Sequence, residues 1–297
     1  MFDFKKNGLC YIKGGRYPHC HALFIDDHLR VLIDPACDDR VLKRLASEKP
    51  IDVIINSHCH EDHFLNNYLF PEAELWVHEK EAPMFRSIET LLDSWLDDDE
   101  KTGPKGDETL QFLINDVHFK EREPDRLLLD RELISFGDTQ MQVLHTPGHS
   151  PGHLSFFFPN EKVLYTADLD LVEAGPYYGD KASDIDEMIH SLERLLEIKA
   201  ETYLSAHGKY GIYAGDPKYI LRYIDVIYQR ENRLLDALTQ KPSTLEEIAD
   251  FGIIHGKKKI SGAWDLSLSE KKMMAKHLVR LIRKGAVQQE GDRYIAC

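Results

Sequence analysis

Short runs of β-branched, aromatic and aliphatic residues, separated by polar turns, fill the first ~215 residues of the chain. Their length and spacing predict strands over residues 9–13, 22–26, 30–34, 53–57, 75–78, 132–136, 142–145, 153–158, 162–166 and 202–205. Asp26-Asp27-His28 and Pro159-Asn160-Glu161 read as hairpin turns. Apolar residues at helical spacing predict helices over 39–47, 88–96 and 184–198. Many strands interleaved with a few amphipathic helices predict an α+β layered architecture with the helices outside.

The pattern loosens between residues 82 and 131. Asp97-Asp98-Asp99-Glu100 is followed by Gly103-Pro104 and Gly106, which read as solvated turns. Long loops in compact domains are often functional lids, so 82–131 is expected to be a flexible insertion near the mouth of a site. From residue 218 the pattern turns helical. Residues 219–238 carry apolar positions at helix spacing, and Ser243 and Thr244 precede Glu246 and Glu247 in a helix-start signature. Residues 271–284 are amphipathic and basic, and 285–295 read as a hairpin. This order resembles a winged helix, a helix-turn-helix variant whose third helix enters the major groove in DNA-binding examples. The favoured expectation is instead that the module packs on the catalytic part or on a second subunit. The predicted domains are 1–217, catalytic, and 218–297, winged-helix-like.

Charge separates the same two regions. Residues 231–297 hold 12 Lys and Arg against 9 Asp and Glu, a balance of +3, while the whole chain carries −14 and its remainder −17. Such an acidic surface disfavours nucleic acid. No apolar run approaches the ~18–20 residues that span a bilayer, and the start lacks a secretory layout. A cytoplasmic protein with no membrane partner is expected. The five cysteines, Cys10, Cys20, Cys37, Cys59 and Cys297, are odd in number and without close pairing, which argues against a disulfide framework.

The chemistry is concentrated at strand ends. His58-Cys59-His60-Glu61-Asp62-His63 follows the run ending at Ser57. Three imidazoles and a carboxylate in one tight loop are costly unless paired, and a metal centre resolves the cost. One tetrahedral ion takes about four ligands, so this cluster together with later histidines points to two metals. Cys59 lies between two ligand candidates and is expected to point away from both. The later motifs are His145-Thr146-Pro147-Gly148-His149-Ser150-Pro151-Gly152-His153, Asp168 in Thr166-Ala167-Asp168, and His207 in Ala206-His207-Gly208. His145 and His153 are expected to be hydrogen-bonded structural residues, and His21 a weak candidate for lining the site. Tyr177 and Tyr178 follow Asp168 by one loop. A phenol there is suited to donate to a developing oxyanion, with aromatic packing an equal alternative.

His-x-His-x-Asp-His, Thr-Pro-Gly-His, a strand-end Asp, Ala-His-Gly and Ile33-Asp34-Pro35 all occur within residues 8–210. In this the chain resembles the metallo-β-lactamase superfamily. The resemblance implies a four-layer αββα sandwich with metals at one edge. It implies His58, His60 and His149 on one metal, Asp62, His63 and His207 on the other, and Asp168 between them. Asp34 would orient a ligand or its loop. Two divalent ions are implied, with Zn2+ expected and Fe or Mn also compatible with these ligands. Many hydrolytic relatives activate a metal-bridging hydroxide. The expected activity is hydrolysis of a small-molecule ester, thioester or lactone, as in the glyoxalase II and lactonase branch, without recognisable glutathione-binding C-terminal helices. Alternatives are an endoribonuclease of the same fold, a ligand-binding regulator and an iron-dependent sulfur dioxygenase. A homodimer is compatible with the sequence.

Overall fold

The computed structural model describes residues 2–257, 260–261 and 264–297. A seven-stranded sheet holds, in spatial order, β1 (Phe4–Lys6), β2 (Leu9–Ile12), β3 (Ala22–Asp26), β4 (Arg30–Ile33), β5 (Val53–Ile55), β6 (Glu74–His78) and β7 (Arg126–Leu128). The first four pair antiparallel and the last three add in parallel. A second sheet runs from β8 (Leu133–Ser135) through β9 (Gln140–His145), β10 (Leu154–Phe158), β11 (Val163–Tyr165) and β12 (Thr202–Leu204) to β13 (Ile212–Ala214). All ten predicted strands are present. The three additions, β1, β7 and β13, lie at sheet edges, where few side chains are buried and the apolar pattern is weak.

Side-chain alternation explains the layers. In the second sheet Val143, Phe156, Phe158, Val163 and Tyr165 enter the same core as Leu23, Val31 and Ile54 of the first sheet. Their neighbours Leu144, Phe157 and Leu164 point the other way, onto α7 (Ile185–Leu195) and α8 (Lys218–Gln240). Period-two alternation thus gives each strand one face toward the opposite sheet and one toward helices. The sheets also meet through polar contacts. The Tyr11 hydroxyl donates to the Ser205 carbonyl at 2.9 Å, and Leu154 N–H donates to the Ser57 carbonyl at 2.9 Å. On the first sheet, Leu42 and Leu45 of α1 (Asp39–Glu48) join the shared core. A short helix, α2 (Glu61–Phe64), follows β5.

The 82–131 segment, expected to be a flexible insertion with one helix at 88–96, is mostly helical. It folds as α3 (Ala82–Arg86), α4 (Ile88–Trp95), α5 (Asp98–Lys101) and α6 (Pro104–Asn115) before entering β7. The features that read as breaks are helix-start signals. Asp97 and Glu100 form a reciprocal capping box, and Gly103-Pro104 opens α6 with proline in its first turn.

Beyond α8 the chain forms β14 (Ser243–Thr244), α9 (Leu245–Ala249), the two-residue strands β15 (Ile260–Ser261) and β16 (Trp264–Asp265), α10 (Leu266–Arg283), β17 (Val287–Glu290) and β18 (Arg293–Ala296). β14 adds to the terminal hairpin to make a three-stranded sheet. Leu234, Leu238, Ile248, Met274, Leu278 and Val287 form a small separate core. Ile220, Tyr223, Ile224 and Ile227 of α8 and Met273 of α10 belong instead to the core against the second sheet. The basic residues of α10 are largely engaged within the chain. Lys272 pairs with Glu100, Arg280 with Asp186 and Glu231, and Lys271 with Glu246. Among the described residues no helix is long and apolar enough to cross a membrane.

Candidate metal centre

Three loops at the carboxyl ends of strands, those after β5, β11 and β12, meet the loop between β9 and β10 at one edge of the sandwich. His58, His60, His149 and Asp168 each present a ligand atom, and these atoms lie within 4.8 Å of one another. Asp62, His63 and His207 form a second such group. Asp168 faces both. Its Oδ2 lies 3.3 Å from His149 Nε2 and 4.0 Å from His58 Nε2. Its Oδ1 lies 2.9 Å from His63 Nε2 and 3.3 Å from His207 Nε2.

The donor set fits divalent cations. His58 Nε2, His60 Nδ1 and His149 Nε2 converge at 2.9–3.2 Å. The outer nitrogens are already committed. His149 Nδ1 donates to the Tyr177 carbonyl at 3.1 Å, so its Nε2 lone pair turns inward. His60 Nε2 is 3.0 Å from Asp180 Oδ2, and His63 Nδ1 is 3.1 Å from Asp34 Oδ2. Facing lone pairs repel, and a cation between them removes the repulsion. His63 Nε2 and Asp168 Oδ1 are buried and lack an aligned hydrogen-bond partner, despite their proximity.

Electrostatics divides the histidines. Burial opposes charge on His60, but the hydrogen bond and charge of Asp180, with Glu61 and Asp62, outweigh it and raise its pKa to about 9. Burial likewise opposes charge on His63, yet Asp168, Asp34 and Asp62 carry it up to about 10. His149 is lowered to about 4, by burial and then by His60. Acidic neighbours that hold protons on imidazoles also attract a cation in their place.

Asp34, fully buried with φ of 52°, accepts from Ser57 N–H at 2.8 Å and from the Tyr165 hydroxyl at 2.9 Å while facing His63. It thereby fixes the start of the 58–63 loop and one ring on it. His153 Nε2 accepts from Asp168 N–H at 3.2 Å, and His145 donates to the Pro151 carbonyl at 2.9 Å. His21 packs against Tyr11 and donates to the Gly208 carbonyl at 3.0 Å, beside His207. Cys59 is buried outside both groups. Burial and Glu81 push its thiol well up.

The tyrosines, weighed equally as oxyanion donors and as aromatic packing, take different places. The Tyr177 hydroxyl donates to Asp180 at 3.1 Å, placing it behind His60. Tyr178 is not brought to the cluster, because its fully buried hydroxyl meets His277 at 2.6 Å and Arg230 at 2.7 Å. Two acidic residues that no motif flags take structural charge of the loops. One is Asp180, behind His60. The other is Glu81, which accepts from Cys59 N–H at 2.9 Å, Ser150 Oγ at 2.7 Å and Gly152 N–H at 2.6 Å. Glycine is required at 152, since a Cβ would come within 2.7 Å of Glu81 Cγ. Trp95 of α4 lies edge-on to His60 at 5.9 Å, so the 82–131 segment does reach the site.

A two-sheet sandwich with histidine and aspartate clusters at the strand ends defines a metal-site class of protein. Residues 16–207 match the model of the Metallo-beta-lactamase superfamily, and the chain belongs to that superfamily. It is 31% identical over 169 residues to the acyl-coenzyme A thioesterase MBLAC2 of Homo sapiens, covering 54% of this chain and 55% of that enzyme. The chain thus spans about half the length of these relatives. It is also 24% identical over 201 residues to the hydroxyacylglutathione hydrolase GloC of Haemophilus influenzae, covering 65% of this chain and 86% of that one. A metallo-beta-lactamase family protein from Thermus thermophilus shares the fold with a TM-score of 0.71 at 20% identity, over 97% of this chain and 98% of that chain.

Proposed function

We propose that the chain is a hydrolase of small acyl thioesters, within a wider reach of esters and lactones, that works with two divalent metal ions, Zn2+ foremost. The observation that carries this reading is Asp168, whose two oxygens face the two ligand groups separately. His58, His60 and His149 would hold one ion, and Asp62, His63 and His207 the other, with Asp168 shared. Bound there, the pair would supply an acidified water and a Lewis-acid clamp for the oxygens of the reacting carbonyl. The protein's own part is positional. Asp34, Asp180 and the Tyr177 carbonyl fix ring orientation, and Trp95 narrows the approach beside His60. No separate serine or cysteine nucleophile is needed. The thioester preference draws on the relatives, one an acyl-coenzyme A thioesterase and another a hydroxyacylglutathione hydrolase.

The test pairs elemental analysis with a panel of acyl-coenzyme A, hydroxyacylglutathione, lactone and single-stranded RNA substrates on one preparation. Two metal equivalents and thioester turnover that scales with metal content are expected. Cleavage of RNA alone, abolished in His60→Ala, would replace the proposal with a nuclease. A metal-loaded protein inert to every thioester, ester and lactone would replace it with a binding protein.

A further inference from the structure

The loop 174–183 carries the outer partners of two of the three histidines of the first ligand group, the Tyr177 carbonyl on His149 and Asp180 on His60, while Ser57 Oγ lies 3.0 Å from the third, at His58 Nδ1. Ser183 adds a third tie, its hydroxyl donating to the His149 carbonyl at 2.8 Å. The loop has no strand or helix of its own to fix it. Two cations from the C-terminal helices do so. Arg230 of α8, 2% exposed, donates to the Ala174 carbonyl at 2.6 Å, the Pro176 carbonyl at 2.8 Å and the Tyr178 hydroxyl at 2.7 Å. Lys276 of α10 donates to the carbonyls of Lys181 and Ser183, both at 2.8 Å. Gly175, with φ of +83°, lets the backbone come this close, because a Cβ there would meet Val226 Cγ1 at 2.4 Å.

The clamp is itself braced. Since Arg230 donates to the Tyr178 oxygen, the phenolic proton turns to His277 Nε2, and the other nitrogen of His277 faces Glu231 at 3.4 Å. Glu231 also pairs with Arg280. A chain of satisfied polar groups therefore runs from α10 through α8 to the loop. In the second ligand group, His63 turns instead to Asp34 and Ser57, in the turns that follow β4 and β5 of the first sheet, and Ser57 is shared with His58.

We infer that Arg230 and Lys276 are positioning residues for the His58, His60 and His149 metal site, and that the C-terminal helices act as the staple that sets its affinity. The inference rests on the two-metal reading above. Loss of an outer partner of a metal ligand typically costs 10–100-fold in affinity, and loss of the clamp is expected to fall in that range, for one ion of the two.

The experiment is a Co2+ titration of the full metal-free chain, followed by ligand-field absorption and calorimetry. The variants are Arg230→Gln, Arg230→Lys and Lys276→Met, with His149→Ala and Asp62→Ala as references for the two sites. Expected are two equivalents in the wild type. One of them, the one lost in His149→Ala, should weaken at least ~10-fold in Arg230→Gln and Lys276→Met, with partial recovery in Arg230→Lys. Circular dichroism identifies folded variants. Lys276 is only half-buried, so its variant carries the test if the buried Arg230 does not tolerate glutamine. Folded variants with both affinities unchanged, or with both weakened equally, would overturn the staple. A wild type that binds no Co2+ would instead overturn the metal reading itself.

Discussion

The two ligand groups are a few ångströms apart but are anchored in different parts of the molecule. His63 rests on Asp34, a residue in the turn that ends β4, whose position is fixed by the Ser57 N–H and the Tyr165 hydroxyl between the sheets. His60 and His149 rest on loop 174–183, which is tied to α8 and α10. The His63 side of the centre is thus held by the sandwich core, whereas two of the three histidines on the other side depend on elements outside it, His58 alone resting on Ser57. Equivalent-looking ligands need not be equally rigid: the difference lies in what holds their far side.

The largest effect is expected from Asp168→Ala, which strikes both halves at once. It should remove one metal equivalent and cost more than ~100-fold in thioester turnover, beyond the 10–100-fold typical of outer partners. Elemental analysis with unchanged stoichiometry would show that the carboxylate does not join the groups. Next is Asp34→Asn, which should weaken the metal equivalent of Asp62, His63 and His207 by ~10–100-fold and lower the melting temperature, because the residue is wholly buried. Asp180→Asn should be milder, ~10-fold, and confined to the other equivalent, since Asp180 lies in the loop rather than the core. If Asp34→Asn and Asp180→Asn weaken the same equivalent, the division into halves is wrong.

The smallest effect comes from His78, which touches neither group and serves as a control. It stacks on His145 at 4.1 Å, and burial, followed by His145 and Lys80, lowers its pKa to about 4. As pH falls below about 6.5 the unfolded chain takes up this proton first, so stability is lost progressively toward pH 4. Denaturant unfolding of the metal-free chain should therefore show a shallower acid slope in His78→Gln. Parallel slopes for the two proteins would refute this.

Much of the candidate site was legible because side chains suited to hold a metal cluster beyond strand ends, and both features leave local signatures. His58, His60, Asp62 and His63 fall within six consecutive residues, the last two on α2, and the glycines and prolines around His149 mark its special backbone path. Asp180 and Glu81 left no such trace. A lone acid in a polar loop reads as solvated, and only the fold brings Asp180 behind His60 or Glu81 between two loops. Tyr178 failed for the converse reason. Sequence proximity to Asp168 suggested a role, but neighbouring tyrosines point in different directions, and one of them found Arg230. Of the helices in 82–115, α4 was legible from its apolar spacing, while α5 and α6 were hidden because capping residues and turn residues are the same residues, namely Asp, Gly and Pro.

Glu81 has a consequence for the order of assembly. Its carboxylate spans from Cys59, in the first half of the sandwich, to Ser150 and Gly152, in the second. Neither half alone gives that buried charge its three donors, and neither alone gathers His58 with His149. Docking of the halves and completion of the candidate metal pocket therefore coincide, so that binding of a full metal complement would report a finished fold rather than guide an early one.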